Sequence, residues 1–433
     1  MSEVVRTTFT TCPYCGTGCG VKAETHADGR VTISGDPDHP ANFGRLCVKG
    51  SALAETLIHD GRLTHPTIGG ERVTWDAALD LIAERFGAAI RDHGPDSVAL
   101  YVSGQILTED YYVANKLMKG YVGSANIDTN SRLCMASSVA GHKRAFGTDT
   151  VPQTYEDLET ADLVVLVGSN LAWCHPILFQ RLAAAKTARP GMKVVVLDPR
   201  RTATSEIADL HLGLDSGTDV ALFAGLLRHL ERAGARDGRF VAAHTSGLEA
   251  ALEAAAPFED PAEVARVTGL AETDVVAFFD LFGATEKVLT VYSQGVNQSS
   301  AGTDKVNAIL NCHLFTGRIG REGCGPFSVT GQPNAMGGRE VGGLANQLAA
   351  HLELADPTHR ELVREFWASP TVTATAGHKA VDLFDAVEDG RIEALWIMAT
   401  NPVDSLPDAD RVKAAIRACP FVVVSEVMAS TDT

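Results

Sequence analysis

Leu163-Val164-Val165-Leu166-Val167-Gly168-Ser169-Asn170 is five uninterrupted apolar residues closed by a glycine, a hydroxyl and an amide. A run of that length predicts a strand buried on both faces, and the small polar residues after it predict a tight loop at its carboxyl end. The pattern recurs at Lys193 to Leu197 before Asp198-Pro199-Arg200-Arg201, and at Val288 to Tyr292 before Ser293-Gln294-Gly295. It returns once more at Leu395 to Met398 before Ala399-Thr400-Asn401-Pro402. Strands alternating with helical stretches predict parallel sheets covered on both faces, so the expected class is α/β, doubly wound. Such sheets bind ligands in the crevice at the carboxyl ends of their strands, where strand order reverses, and each of these loops lies at such an end.

Outward from these runs, Trp75, Leu79, Ile82, Phe86 and Ile90 recur at three- and four-residue steps behind Thr74, predicting a capped amphipathic helix before a strand from Ser97 to Val102. Asp237 to Phe282 is acidic, alanine-rich and expected to be helical filler. Residues 1–60 lack helical periodicity and are rich in Cys, Gly and Pro, which predicts a small module stapled by a metal. Pro420 to Thr433 reads as a strand and loop with no covering helix, so the natural domain is expected to continue.

The composition of the 433 residues, 45% hydrophobic and 21% charged, is that of a globular protein. A formal charge of −17 repels phosphate backbones, so no nucleic acid partner is expected. No apolar run approaches the ~20 residues that span a bilayer, so no membrane segment is expected. The start shows neither an apolar leader core nor a twin arginine, which points to the cytoplasm. Nine cysteines, five of them scattered singly, argue against a disulfide framework and for metal ligation or reduced thiols.

Cys12-x2-Cys15-x3-Cys19, followed by Cys47, offers four thiolates, three of them on one tight loop. That is the number an iron–sulfur cubane needs; a structural zinc site, the other use of four cysteines, ordinarily shows two C-x2-C pairs. Gly16, Gly18 and Gly20 let backbone amides approach the sulfurs. Lys49 places an ammonium at the cluster edge or is a solvated surface lysine.

Cys134, within Asn130-Ser131-Arg132-Leu133-Cys134-Met135-Ala136-Ser137-Ser138, opens a small-residue helical stretch, where a thiolate has a lowered pKa and suits a soft metal, or else simply packs. In Gly331-Gln332-Pro333-Asn334-Ala335-Met336-Gly337-Gly338-Arg339-Glu340, the glycines allow close approach to a bulky cofactor. Arg339 offers a planar fork for a bidentate oxyanion such as nitrate or formate, unless it pairs with Glu340 or another acid. No G-x-G-x-x-G fingerprint is present, which disfavours a nicotinamide site. Gly168, Ser169 and Asn170 instead present amides and a hydroxyl where phosphate oxygens could sit. Asp198 is placed for ribose or base contacts with Arg200 and Arg201 near a diphosphate, and Gly217-Thr218-Asp219 offers a carboxylate for the edge of a guanine.

Cys12-Pro13-Tyr14-Cys15-Gly16-Thr17-Gly18-Cys19-Gly20-Val21, with Gly44-Arg45-Leu46-Cys47-Val48-Lys49-Gly50, resembles the amino-terminal [4Fe-4S] segment of prokaryotic molybdopterin oxidoreductases, which include formate dehydrogenases and nitrate reductases. The similarity runs from Cys12 to the end of the chain and is nearest to cytoplasmic assimilatory nitrate reductase catalytic subunits. The resemblance implies a cluster on Cys12, Cys15, Cys19 and Cys47, with Lys49 between cluster and pterin, and Cys134 as the molybdenum ligand. It implies that Arg339 binds substrate with Gln332 beside it, and that two pterin guanine dinucleotides sit on the loops of Gly168, Asp198 and Gly217 and on Gly295, Gln298, Thr400, Asn401, Pro402 and Glu426, with Asp432 less well matched. Many formate dehydrogenases of the family carry histidine after the metal ligand; Met135 instead fits the nitrate reductase pattern, with an apolar thioether lining the pocket.

The resemblance further implies an iron–sulfur module over 1–60, a discontinuous molybdopterin-binding domain over 61–134 and 331–433, and an inserted nucleotide-binding domain over 135–330. The carboxy-terminal β-barrel that the family adds is expected to be absent from these residues. The implied activity is reduction of nitrate to nitrite by oxygen-atom transfer, with electrons from ferredoxin, flavodoxin or a nicotinamide-dependent reductase entering at the cluster. Formate oxidation is the alternative within the family. A zinc-stapled nucleotide-binding scaffold or an electron-transfer fragment without catalysis is the alternative outside it.

Overall fold

The run Leu163–Val167 forms the middle strand of a five-stranded, wholly parallel sheet in the computed structural model, which describes residues 2–433. The sheet order is Leu210–Leu212, Lys193–Leu197, Leu163–Val167, Val288–Tyr292, Gly325–Ser328. All five side chains of the middle strand are buried, because helices cover both faces. Leu163, Val165 and Val167 pack with Leu222, Leu226, Phe278 and Ile309, whereas Val164 and Leu166 pack with Leu178 and Leu182. Alternation along one strand thus feeds two cores, each buried side chain contributing about 1.5–3 kcal/mol. The helical filler appears as Gly238–His244, Leu248–Ala255, Pro261–Thr268 and Glu272–Ala284, and Phe278, Phe279 and Phe282 deliver its apolar face to the core.

A second parallel sheet has the order Phe421–Ser425, Ala394–Met398, Val98–Val102, Ile127–Thr129. Ala99 and Tyr101 face Leu383, Phe384 and Val387, while Val98, Leu100 and Val102 face Tyr111, Ala114 and Met118. In both sheets the chain steps outward on one side of its first strand and later returns to the other side. Each sheet therefore has a point where strand order reverses. The class is α/β and doubly wound, preceded by a small antiparallel module of Val4–Thr11, Gly20–His26 and Val31–Gly35.

By packing, the chain divides into two units, residues 2–54 with Cys134–Gly331, and Glu55–Leu133 with Gln332–Thr433. The small module joins the first because Cys12, Cys19 and Val21 share a buried cluster with Ile177. No helix among the described residues is long and apolar enough to cross a membrane.

The predicted helix forms as Trp75–His93, capped by the Thr74 hydroxyl accepting from the Ala77 amide at 3.2 Å. Its apolar stripe is only half used. Phe86 and Ile90 pack on the sheet, but Trp75 is 68% exposed and Leu79 48%, and both line an open groove of about 420 Å³ beside the edge strand Phe421–Ser425.

Two buried charges shape the second unit. Asp128 accepts from Arg132 at 3.0 Å and from the amides of Ala345 and Ala380. Lys119 is fully buried and donates to the carbonyls of Gly342, Leu344 and Gln347 at 2.7–2.8 Å, and burial pulls its ammonium down to about 7. These bonds pin the segment that follows Arg339, so Lys119→Met strands three carbonyls, at a cost on the order of 3 kcal/mol. The expected result is a lower midpoint in thermal and urea unfolding; an unchanged midpoint would show that the segment is held by other contacts.

Candidate functional site

The loop between the first two strands carries Cys12, Cys15 and Cys19, with the Cys12 amide bonded to the Cys19 carbonyl at 2.8 Å. Burial pushes the Cys12 thiol up, and the Cys15 and Cys47 thiolates add to the effect while Lys49 opposes it. Cys19 is pushed up to about 12, by burial first and then by Cys15, Cys12 and Cys47. All four sulfurs therefore lie within one another's electrostatic reach. Among the described residues no three or more His, Cys, Asp or Glu side chains converge on the geometry of a single metal ion.

The loop is held from outside. Tyr155 donates its hydroxyl toward the carbonyls of Gly16 and Thr17 at 3.0 and 3.2 Å. Arg181 is fully buried, pairs with Glu159 at 2.7 Å, donates to the carbonyls of Pro40 and Ala41, and lies over the Tyr155 ring. Lys49 is exposed; burial pushes the Cys174 thiol up while the Lys49 charge opposes it, and burial first and then Lys49 pull the His175 ring down.

At the reversal point of the five-stranded sheet, the ends of Leu163–Val167 and Val288–Tyr292 meet backbone to backbone. The Gly295 amide donates to the Gly168 carbonyl at 3.0 Å. A Cβ on Gly295 would stand 2.6 Å from the Gly168 Cα, and one on Gly168 would stand 2.7 Å from the Gly295 Cα. Ser169 is buried, and its hydroxyl has no hydrogen-bond partner among the described residues. Cys134 comes to the same place: Gln294 Nε2 lies 2.7 Å from its sulfur. Met135 is 1% exposed, its sulfur facing the amides of Asn297 at 3.4 Å and Gln294 at 3.6 Å.

Of the other loop residues, Asn170 accepts from Thr204, and Asp198 accepts from the Arg200 amide at 2.9 Å while Arg200 itself is exposed. Gly217 is exposed with φ of +96°, and Gln298 is exposed. Asp219 and Thr218 begin a helix, but the Asp219 carboxylate is already paired with buried Lys305 at 2.6 Å. Lys305 also donates to the Gly295 carbonyl at 3.3 Å, which ties the carboxylate to the reversal point.

The second sheet builds a parallel arrangement at its own reversal point. Asn130 accepts from the Gly104 amide and donates to Thr400 Oγ1, both at 3.0 Å, which clamps the ends of Val98–Val102 and Ala394–Met398. Here too a glycine makes room, since a Cβ on Gly104 would strike Ser131 Oγ at 2.5 Å and Gln332 Oε1 at 2.6 Å. Gln332 Oε1 is buried without a hydrogen-bond partner among the described residues. Arg339 is 4% exposed on the short helix Ala335–Glu340, whose Glu340 pairs with His351 at 2.9 Å. Asn401 donates to Asp432 at 3.0 Å, Pro402 opens the helix Pro402–Ser405, and Glu426 lines the open groove.

Residues 62–433 match the family model described as molybdopterin oxidoreductase, and residues 5–59 match the model of the molybdopterin oxidoreductase Fe4S4 domain. The chain belongs to the molybdopterin oxidoreductase family. It is 55% identical over 426 residues to a nitrate reductase of Klebsiella oxytoca, covering 98% of this chain and 48% of that protein. It is 49% identical over 431 residues to a nitrate reductase of Shewanella frigidimarina, covering 98% and 46%. The chain thus spans about half the length of the curated relatives it matches. Among solved structures, acetylene hydratase from Pelobacter acetylenicus superposes with a TM-score of 0.78 at 20% identity, covering 97% of this chain and 60% of that one, which shows a shared fold.

The residues fit the family's cofactors, a 4Fe-4S cluster and molybdenum held by molybdopterin. Four mutually close thiols match the cluster, and a soft sulfur at a crevice where two glycines let strand-end backbones meet, beside an unanswered hydroxyl, matches a metal carried on a large polar ligand. Reading the sequence missed Gln294, Lys305, Tyr155 and Asn130. Gln294 and Asn130 alone had a signal, their places in the quoted strand-end loop and in the quoted segment before Cys134.

The glycine contact gives a direct test. In Gly295→Ala the new methyl group meets backbone, which cannot swing aside, so the crevice must open at a cost of about 1–3 kcal/mol. Metal analysis is expected to show molybdenum lost with iron retained; full molybdenum occupancy in Gly295→Ala would remove the crevice from the cofactor site.

Proposed function

We propose that this chain carries the cluster- and metal-binding part of a nitrate reductase, which reduces nitrate to nitrite by oxygen-atom transfer. The observation that carries the reading is 55% identity to a protein named nitrate reductase across 98% of the chain. Met135 in place of a histidine beside Cys134 supports nitrate over formate, since a thioether performs no proton transfer.

In this reading Cys12, Cys15, Cys19 and Cys47 hold the cluster and Cys134 holds the metal. When bound, the cluster passes electrons singly and the molybdenum cofactor accepts the oxygen atom. Tyr155 and Arg181 keep the cluster loop in place. Lys49, whose charge acts on both Cys12 and His175, carries positive potential along the electron path toward the pterin. Arg339 binds nitrate through its planar fork of donors, and its fixed charge also favours the departing nitrite. Gln332, with an unanswered buried carbonyl oxygen, takes a donor from cofactor or substrate.

The two reversal points suit two pterin guanine dinucleotides. Gly168, Ser169, Asn170, Asp198, Arg200 and the Gly217–Asp219 turn serve one; Thr400, Asn401 and Pro402 serve the other. Gly295, Gln298 and Glu426 complete the contacts. Electrons come from a ferredoxin, a flavodoxin or a nicotinamide-dependent reductase, and the reducing cytoplasm is the compartment that suits this thiol-rich chain.

The test is oxidation of reduced viologen by nitrate, beside reduction of viologen by formate, with the metal-loaded protein. Nitrate-dependent turnover is expected, lost in Cys134→Ala while iron and visible absorbance remain; formate-dependent turnover without nitrate activity would overturn the substrate. Arg339→Lys keeps the charge but loses the fork, and is expected to raise the KM for nitrate by about 10-fold or more.

A further inference from the structure

We infer that Gln294 is a positioning residue that sets how strongly the Cys134 sulfur donates to the metal. The inference rests on the proposed function, in which Cys134 is a ligand. Gln294 begins the short helical turn Gln294–Asn297 directly after the strand Val288–Tyr292. Its Nε2 stands 2.7 Å from Cys134 Sγ and 3.6 Å from Met135 Sδ, so one primary amide faces two sulfurs.

The orientation of that amide follows from what it faces. Its Oε1 lies against the Ser293 hydroxyl, whose single proton is shared with the Val329 carbonyl at 3.2 Å. A carboxamide turned the other way would press an acceptor oxygen against a thiolate, two negative groups together, so the N–H side faces sulfur. Met135 is fixed independently, because Asn297 Nδ2 reaches its sulfur at 3.4 Å while Asn297 Oδ1 accepts from Ser138 at 2.6 Å. Gln294 is thereby left with Cys134 as its nearer target.

A hydrogen bond to a ligating thiolate draws negative charge away from sulfur, weakens its donation and stabilises the more reduced metal. Gln294 accordingly raises the midpoint potential of the metal couple and makes it easier for an electron donor to reduce. It touches no reacting atom and acts only through Cys134.

Gln294→Leu removes the donor, and Gln294→Glu keeps the shape while facing sulfur with acceptor oxygens. In redox titrations of the metal-loaded protein followed by electron paramagnetic resonance, the molybdenum couple is expected at lower potential in Gln294→Leu and lower still in Gln294→Glu, with cluster potential and iron content unchanged. An unshifted molybdenum potential in both variants overturns the inference. Loss of molybdenum from both with iron intact also overturns it, in favour of a purely structural role; if only Gln294→Leu loses the metal, Gln294→Glu decides. Cys134→Ala, measured in parallel, separates the two levels. An unaltered molybdenum signal there means that Cys134 is no ligand and the parent reading fails, whereas loss of that signal beside unshifted Gln294 variants defeats the inference alone.

Discussion

The contact between Gly168 and Gly295 is the constraint on which the first unit depends. Two parallel strands, separated by more than a hundred residues of chain, end side by side with no side chain between their backbones. Parallel strands need long crossovers, and placing the return strand on the far side of the first one opens a crevice between the loops that leave them. Any Cβ there would meet main chain within 3 Å and force the loops apart. The amide of Gly295 instead closes on the Gly168 carbonyl, and Lys305 ties the same glycine to Asp219.

Within each unit the protein places polar groups of two kinds. Some are fully engaged and serve as fasteners: Arg181 beneath the cysteine loop, Lys119 and Asp128 in the second unit, and Asn130 between two strand ends. Buried charges of this kind are costly unless every donor finds an acceptor, and these are well supplied. Others are buried and unanswered within the protein: the Ser169 hydroxyl and the Gln332 carbonyl oxygen. Because orphaned buried polar groups are rare, they mark places where a ligand completes the hydrogen bonding.

Much of the architecture was legible in the residues. Leu163–Val167, Lys193–Leu197 and Val288–Tyr292 form strands at the positions their apolar runs predict, since a strand buried on both faces needs no partner's identity to declare itself. The short edge strands Leu210–Leu212 and Gly325–Ser328 carry no such run and are strands only because a longer neighbour offers a ladder. The Thr74 cap is local and was readable; the exposure of Trp75 and Leu79 was not, because it depends on what lies across the groove.

The site divides in the same way. Spacing alone determined that Cys12, Cys15 and Cys19 share one loop, because seven residues of chain cannot carry them far apart. Strand-end chemistry likewise singled out the loops at Gly168 and Gly295 as places for a ligand. Only the tertiary structure decided that Gln294 meets Cys134, that Tyr155 holds the loop of Gly16, and that the Asp219 carboxylate is taken by Lys305. Those pairs join residues from 86 to 160 positions apart, and nothing in either partner's local sequence encodes the other; sheet order and helix packing bring them together.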